Sequence, residues 1–395
     1  MFLNLKKKHI IFNNININNI NFNNLEISYS DKYNGPFIAK DINFKLSYYK
    51  GLIDIKNNNG CWDRSKKISN PYELINHNNC SVSLINPISR SYFKFLELIQ
   101  DYSLISNKKV YNYVALAEGP GGFVECFIKY RKSKFLGRND IINCMTLRSK
   151  SPDIPNWNKA KTLFKKNNVN ISYGEDGTGN LYNIQNIKYL SNKLGNNKVV
   201  DLVSADGGFD YSTNFNTQEI VSCKLIFSEI ICALNISKKG AHFILKIFDI
   251  YSLLTIKILY ILSLFYKQLI IVKPFTSRPA NSEKYIVCKD FLGISKSTSD
   301  SLYTLLEEWN KSDRKINDII GIKVPKIFID NIYNINKYYA KQQITNILQT
   351  LIFIERPLQN NDLNYIKKKQ LLYCVEWSRK YNNPLNYKNI KKIHH

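Results

Sequence analysis

Several features that define familiar protein classes are missing from this 395-residue chain. Its eight cysteines form no C-x-x-C pair, and their flanks are mostly apolar. Neither a disulfide framework nor a zinc ribbon is expected. With no secretory leader, the cysteines read as reduced core thiols in an intracellular protein. There are only five histidines, none at ligand spacing from the cysteines, so no metal site is expected either. Acidic residues are scarce, 31 against 56 Lys and Arg, which leaves a net charge of +25. No internal repeat is visible. The one run resembling a membrane span, Tyr251 to Val272, contains Lys257 and Lys267 and leads into KPFTSRP. A buried helix from about Ser252 to Phe265, then a strand from Gln268 to Val272, fits it better than a membrane segment.

What is present suits a folded chain of one large domain with an appended element, or two domains. Apolar residues make up 44% and aromatics 13%, ample for a core. The basic excess favours a polyanionic partner through phosphate contacts and counterion release. Asn, Lys, Ile and Tyr are abundant together, however, as an AT-rich genome gives, so charge alone leaves nucleic-acid binding and codon bias equally open. That composition also suits a large DNA virus or a protist.

Residues 1–45 are Asn-rich, with short strand-like pieces such as Leu25 to Tyr29, and read as an N-terminal extension. Across residues 46–294, strand-like and helix-like segments alternate. Strands are predicted at Tyr111 to Ala117, Ile141 to Leu147, Val199 to Ala205, Ala241 to Phe248, Gln268 to Val272 and Glu283 to Cys288. Helices are predicted from Gly122 and over Gln218 to Ser237. The fold class is α/β, a mostly parallel sheet with helices on both faces. From residue 295 to 395 the texture turns helical and basic, which predicts a helical C-terminal element.

Within this frame, AEGPGGF at 117–123 follows a strand and precedes a helix, so backbone can approach a ligand closely and aim free amides at it. It is not a dinucleotide fingerprint. The spacing is not G-x-G-x-x-G, and the second strand, ending at Leu147, has no acid for a ribose diol. Asp206 follows the strand VVDLVSA, at the carboxyl end where such sheets place ligands; the plainer reading is a turn Asp capping the next helix. Lys246 lies in the apolar strand AHFILKIF and must either snorkel to an edge or hold a buried task. Glu283 before KYIV and Lys94 in RSYFKFLELI read individually as surface charges.

Together, Lys94, Asp206, Lys246 and Glu283 resemble the K-D-K-E tetrad of FtsJ-like ribose 2′-O-methyltransferases. The likeness tightens to the eukaryotic and viral branch that methylates the first transcribed nucleotide of capped mRNA. It is carried by SNPYE (69–73), SRSYFK (89–94), AEGPGGF, CMTLR (144–148), YGEDGTGN (173–180), ADGGF with QE at 218–219, GAHFILKIFD (240–249) and KPFTSRPANSEKYIVCKDF (273–291). The similarity runs unbroken over roughly residues 50 to 291. It implies a Rossmann-like fold, S-adenosylmethionine as methyl donor and no metal. The donor would lie against Gly119, Pro120, Gly121, Gly122 and Phe123, with Ser89, Asn180 and Leu181 near it. Ser89 and Asn180 depart from the family's usual Asn and Asp. Lys50, Asp54, Lys66, Asn216 and Asn281 match cap- and RNA-contacting positions. The implied function is cap 1 formation, with Lys246 as base, Asp206 orienting it, and Lys94 and Glu283 holding the network. The expected partners are the capped mRNA 5′ end and a separate capping enzyme. Two alternatives stay open: an rRNA or tRNA ribose methyltransferase of the same fold, and an RNA-binding subunit that has lost catalysis.

Overall fold

The computed structural model describes all residues except 1–8, 14–19, 34, 36, 57–59, 78–79, 152–153, 195–198, 210–215, 313, 357 and 395; of Asp54 and His394 it describes only the backbone. Ten strands are present among the described residues: β1 (His9–Asn13), β2 (Glu26–Ser30), β3 (Asn112–Leu116), β4 (Ile141–Met145), β5 (Asn170–Ser172), β6 (Val200–Ala205), β7 (Ser237–Ile247), β8 (Tyr266–Val272), β9 (Lys284–Phe291) and β10 (Lys315–Ile320). Eight form one sheet in the order β1-β8-β9-β7-β6-β3-β4-β5. β5, β4, β3, β6 and β7 pair in parallel. β9 then runs antiparallel between β7 and β8, and β1 antiparallel to β8 at the edge.

The central parallel strands are largely apolar because both faces are covered; all six residues of β6 are buried, Asp201 and Ser204 among them. Alternation divides them between two cores. Val114, Leu116, Val203, Ala205, Leu245 and Ile247 face the helices Gln218–Ile236, Leu253–Ser263 and Lys296–Asn310. Tyr113, Ala115, Leu202 and Ile244 face the helices Ser91–Asp101, Gly122–Ser133 and Asn360–Lys380. Lys246 therefore shares the face of Ile244, the one covered by the helix that carries Lys94.

The chain winds outward from β3 through β4 to β5, then returns to β6 beside β3 and continues outward through β7. The carboxyl ends of β3 and β6 thus flank the point where winding reverses, the place where open parallel sheets leave a crevice.

The expected fold class holds, with local differences. β4 stops at Met145, and β7 begins at Ser237, directly from the preceding helix. β9 begins one residue after Glu283 and extends to Phe291. β5 was not anticipated, since three residues give no readable period. The described parts of the first 45 residues contribute β1 to the main sheet, and β2 pairs with β10 in the C-terminal hundred. Phe12, Phe22 and Leu25 join the main core with Leu302 and Phe328. Asparagines around these short strands mask their pattern.

No helix among the described residues is long and apolar enough to cross a membrane. Tyr251 to Val272 resolves into the helix Leu253–Ser263 and strand β8, and Lys257 bonds Asp318 at 2.8 Å. All eight cysteines are free, and six of them are buried. No group of three or more His, Cys, Asp or Glu among the described residues is arranged to hold a metal.

Candidate active site

A cavity of about 610 Å³ opens at the carboxyl ends of β3 and β6. Its wall includes Ala117, Gly119, Thr146, Leu147, Ile154, Pro155, Gly179, Asn180, Leu181, Asp206, Gly208, Phe209, Lys246, Phe248 and Glu283. Residues widely separated in sequence meet here because each follows the end of a strand or a loop folded over the sheet.

The turn after β3 is shaped by contact from opposite sides. A Cβ on Gly119 would meet the Pro155 carbonyl oxygen at 2.5 Å, so only glycine lets the 155 loop close over the turn. Gly179 has φ +70°, and a Cβ there would run into the Thr146 carbonyl, which keeps Asn180 and Leu181 against the cavity. Behind the turn, Glu118 is buried and accepts from the N–H groups of Phe123 at 2.6 Å and Val124 at 3.2 Å, at the start of the helix Gly122–Ser133. Burial, then the negative charge of Asp206, pushes the Glu118 carboxyl well above the usual range. A carboxyl at a helix N-terminus satisfies donors that the helix leaves open.

Two lysine–carboxylate pairs meet the cavity. Lys246 Nζ donates to the Asp206 backbone carbonyl at 2.6 Å and lies 3.4 Å from Asp206 Oδ1. Lys94 Nζ lies 2.7 and 2.9 Å from the two oxygens of Glu283. The side chains of Asp206 and Lys246 are 14% and 13% exposed, those of Lys94 and Glu283 16% and 13%, so all four are sheltered yet reachable. Tyr285, fully buried on β9, donates to Asp206 Oδ1 at 2.9 Å, and the opposite charges of Lys246 and Glu283 act on each other, coupling the two pairs. Ser277 donates to Glu283 Oε1 at 3.0 Å, and Lys273 Nζ donates to the Glu283 backbone carbonyl at 2.8 Å.

The charges set the protonation states. Burial alone would lower the pKa of Lys246, but the charges of Asp206, Glu283 and Glu229 outweigh it and raise it above the ordinary lysine value. The resting form is the ammonium. Burial likewise works against the Glu283 carboxylate, yet Lys94 and Lys246 bring it down to about 2. Glu229, buried in the apolar helix Gln218–Ile236, is pushed up to about 8, chiefly by burial.

Of the predicted donor positions, Gly119, Asn180 and Leu181 line the cavity, and Pro120 belongs to the same half-buried turn. The others stand behind it. Gly121 and Gly122 are buried at the helix start, and Phe123 is sealed against Phe95 and Tyr285. Ser89 bonds Ser91 beside Gly122 instead of facing the cavity. The expected RNA positions disperse. Lys50 is 4% exposed and bonds Asp249 at 2.6 Å, so its ammonium is not offered to a nucleic acid; its partner, 199 residues away, gave no warning in sequence. The Asp54 side chain lies outside the described residues. Lys66 pairs with Asp63 on the helix Cys61–Ile68. Asn216 and Asn281 are exposed, the latter accepting from Lys273 Nζ at 2.6 Å.

Sequence reasoning missed Tyr285, Glu118 and Glu229. The first two sit inside the blocks SRPANSEKY and AEGPGGF, and the third betrays itself as an acid within the apolar run LIFSEIICAL.

The cavity suits S-adenosylmethionine. Its volume falls in the range of cofactor sites. Ile154 and Leu181 offer apolar walls for a purine ring, and the carboxylates of Asp206 and Glu283 offer anionic surroundings for a cationic centre.

The family model described as FtsJ-like methyltransferase matches residues 87–291, just over half of the chain. The chain is 27% identical over 385 residues to cap-specific mRNA (nucleoside-2′-O-)-methyltransferase 1 of Dictyostelium discoideum, a match covering 92% of this chain and 49% of that protein. It is 31% identical over 254 residues to the enzyme of the same name from Homo sapiens, covering 60% and 29%. To that from Trypanosoma brucei brucei it is 29% identical over 249 residues, covering 61% and 64%. The chain thus spans about half or less of the length of the first two relatives and under two thirds of the third. With the family model covering more than half of its residues, and a glycine-turned cavity at the switch point of the sheet, the chain belongs to the FtsJ-like methyltransferase family.

Proposed function

We propose that this chain methylates the ribose 2′-hydroxyl of the first transcribed nucleotide of capped mRNA. The observation that carries the reading is the meeting of the Lys94–Glu283 and Lys246–Asp206 pairs at one end of the cavity, with Tyr285 bonded to Asp206. The names of the relatives favour the capped substrate over structured RNA. A separate guanylyl-transferring enzyme would supply the cap, and the eight free thiols suit an intracellular setting.

When bound, S-adenosylmethionine supplies an activated methyl group on a cationic sulfur. Gly119, Asn180, Leu181 and Thr146 would hold it. The chain must then orient a weakly nucleophilic hydroxyl and take away its proton. Lys246 takes both tasks in this reading. Asp206 fixes the Lys246 ammonium through its backbone carbonyl and carboxylate, and Tyr285 fixes the Asp206 carboxylate. As base, Lys246 must act in its neutral form, a minority at neutral pH because its pKa is raised. The transfer rate then climbs with pH, approaching tenfold per unit below the lysine pKa. A flat profile across the alkaline range would remove the base role and leave Lys246 as an orienting cation. Glu283 stays ionised and, with Lys94 bonded to it, holds the hydroxyl's surroundings.

The test is labelled methyl transfer to short RNAs carrying an N7-methylated cap, an unmethylated cap or no cap, with products mapped by nuclease digestion. Label on the first-nucleotide 2′-oxygen of capped RNA alone is expected. Equal labelling of uncapped or internal positions moves the reading to structured-RNA methylation. Intact donor binding with no label points to a missing partner, and failure to bind the donor makes the chain an RNA-binding subunit.

A further inference from the structure

The helix Lys326–Glu355 lies outside the family match, and its buried side carries an unusual stripe. Asn336, Tyr339, Gln343, Asn346 and Thr350 follow one another at spacings of three and four, which places them along one face. Helices normally fill such a seam with aliphatic residues. Here all five are buried, and each bonds a residue outside the helix, Asn346 and Thr350 sharing Ser69. Asn336 Nδ2 donates to the Ile250 carbonyl at 2.6 Å, just beyond β7. The Tyr339 hydroxyl accepts the Lys273 N–H at 3.0 Å, just beyond β8. Gln343 Nε2 donates to the Ala280 carbonyl at 3.0 Å. Asn346 Nδ2 donates to the Ser69 carbonyl at 3.2 Å, and Thr350 bonds Ser69 Oγ at 2.7 Å.

A buried amide left unpaired is destabilising, so an aliphatic seam would pack this helix with less at stake. What the polar stripe adds is register, because each bond is satisfied at only one position of the loop it meets. Two of the bonds hold residues 273 and 280 of the segment 273–283. That segment ends at Glu283, whose carboxylate receives Lys94 and Ser277, and whose backbone carbonyl receives Lys273. Tyr339 grips the segment where it leaves β8, and Gln343 grips it three residues before Glu283.

We propose that Tyr339 and Gln343 are positioning residues of the active site, setting where the Glu283 carboxylate stands relative to Lys94 and Tyr285. The proposal rests on the methyl-transfer reading of that carboxylate. Gln343 acts through the Ala280 carbonyl and touches no reacting atom. The conservative change Gln343→Glu keeps the shape but replaces the donor with an acceptor; Gln343→Ala removes both.

The experiment uses the full chain, with Gln343→Glu, Gln343→Ala and, as a control on the same helix, Ile347→Val, which trims an apolar residue of the neighbouring core. Three quantities are read: kcat on capped RNA, Kd of S-adenosylmethionine, and amide hydrogen exchange of residues 279–285 without RNA. Both Gln343 variants should lose kcat by about tenfold to a hundredfold, as a small misplacement of a catalytic group does. Donor affinity should stay within about twofold, since the residues proposed to hold it lie in other loops. Exchange at 279–285 should quicken in both variants and remain unchanged in Ile347→Val. Unchanged exchange in the Gln343 variants overturns the proposal, as does an equal loss of kcat in Ile347→Val. If the unaltered chain methylates no RNA, the functional reading fails by itself, and the exchange comparison still decides whether Gln343 fixes the segment.

Discussion

Lys246 and Asp249 stand three residues apart at the end of β7, and Glu283 and Lys284 are neighbours at the start of β9, yet the four belong to two different groupings. Lys246, Asp206 and Glu283 line the cavity, and Lys94 bonds Glu283 there. Asp249 instead receives Lys50 at 2.6 Å and Lys284 at 3.5 Å in a triad whose side chains are at most 10% exposed. Successive residues near a strand end project to opposite sides, so one step along the chain moves a charge from the cavity into the seal. The chemistry of the side chains is the same in both places; their access to a substrate is not. In the triad, burial works against the Asp249 carboxylate, but Lys50 and Lys284 hold its pKa below the ordinary value. Its work ends there. The pairs at the cavity have a face left over for a ligand.

Substitutions can break this contrast. Lys246→Ala should produce the largest change, a loss of methyl transfer of about 10²–10⁴-fold with donor binding retained. Calorimetry with S-adenosylmethionine beside the transfer assay checks this, and retained turnover would sink the role given to Lys246. Asp249→Ala should do the reverse, leaving two buried lysines unpaired and lowering stability by about 3–5 kcal/mol, read by denaturant unfolding. Lys50→Ala should follow in the same direction by less, since Lys284 still bonds Asp249. If Lys50 contacted RNA instead, its variant would raise the KM for capped RNA and leave stability alone. Because the folded pKa of Asp249 is depressed, its contribution is present above the unfolded carboxylate value and is lost as pH falls through the folded value.

Glu229 sharpens the contrast from the other side. It is buried, lacks a hydrogen-bond partner for Oε1 in this structure, and is raised to about 8. Between the unfolded carboxyl value and that figure the folded state holds a proton that the unfolded chain has released, so stability declines as pH rises through this window. Glu229→Gln should flatten that decline by roughly 1–3 kcal/mol between about pH 5 and about pH 9. Thermal unfolding at the two pH values measures it, and an unaltered slope would show that Glu229 does not titrate there. The smallest effect belongs to Lys66, whose partner Asp63 is exposed. Lys66→Ala should change stability by less than about 0.5 kcal/mol while raising the KM for capped RNA. An unchanged KM would remove Lys66 from the proposed RNA path.

The sequence was most legible where one physical rule acts alone. The carboxyl-terminal parts of β3, β6 and β7 are largely apolar because the parallel sheet is covered on both faces; Asp206 directly follows β6 and Lys246 sits inside β7. Asp206 and Lys246 were therefore visible as exceptions. Legibility failed where the deciding partner is distant. Lys50 was expected to contact RNA, and nothing near it in sequence hints at its partner Asp249. β1 and β10 were hidden because their partners, β8 and β2, lie hundreds of residues away, and their own periods are too short to read. Ile154, Pro155 and Phe248 line the cavity from loop or strand-end positions, where periodicity says nothing about direction.

The placement of β9 between β7 and β8 bears on how this molecule comes into being. The last strand of the main sheet to leave the ribosome must enter between two strands already made, and Glu283 stands at its leading end. Until residues 284–291 emerge, β7 and β8 have no bridge and Asp206 lacks Tyr285. The helix Lys326–Glu355 follows later still. A nascent chain halted near residue 280 would carry the glycine turn and Lys246 but no finished site, so the site is complete only once residues 283–291 have been made.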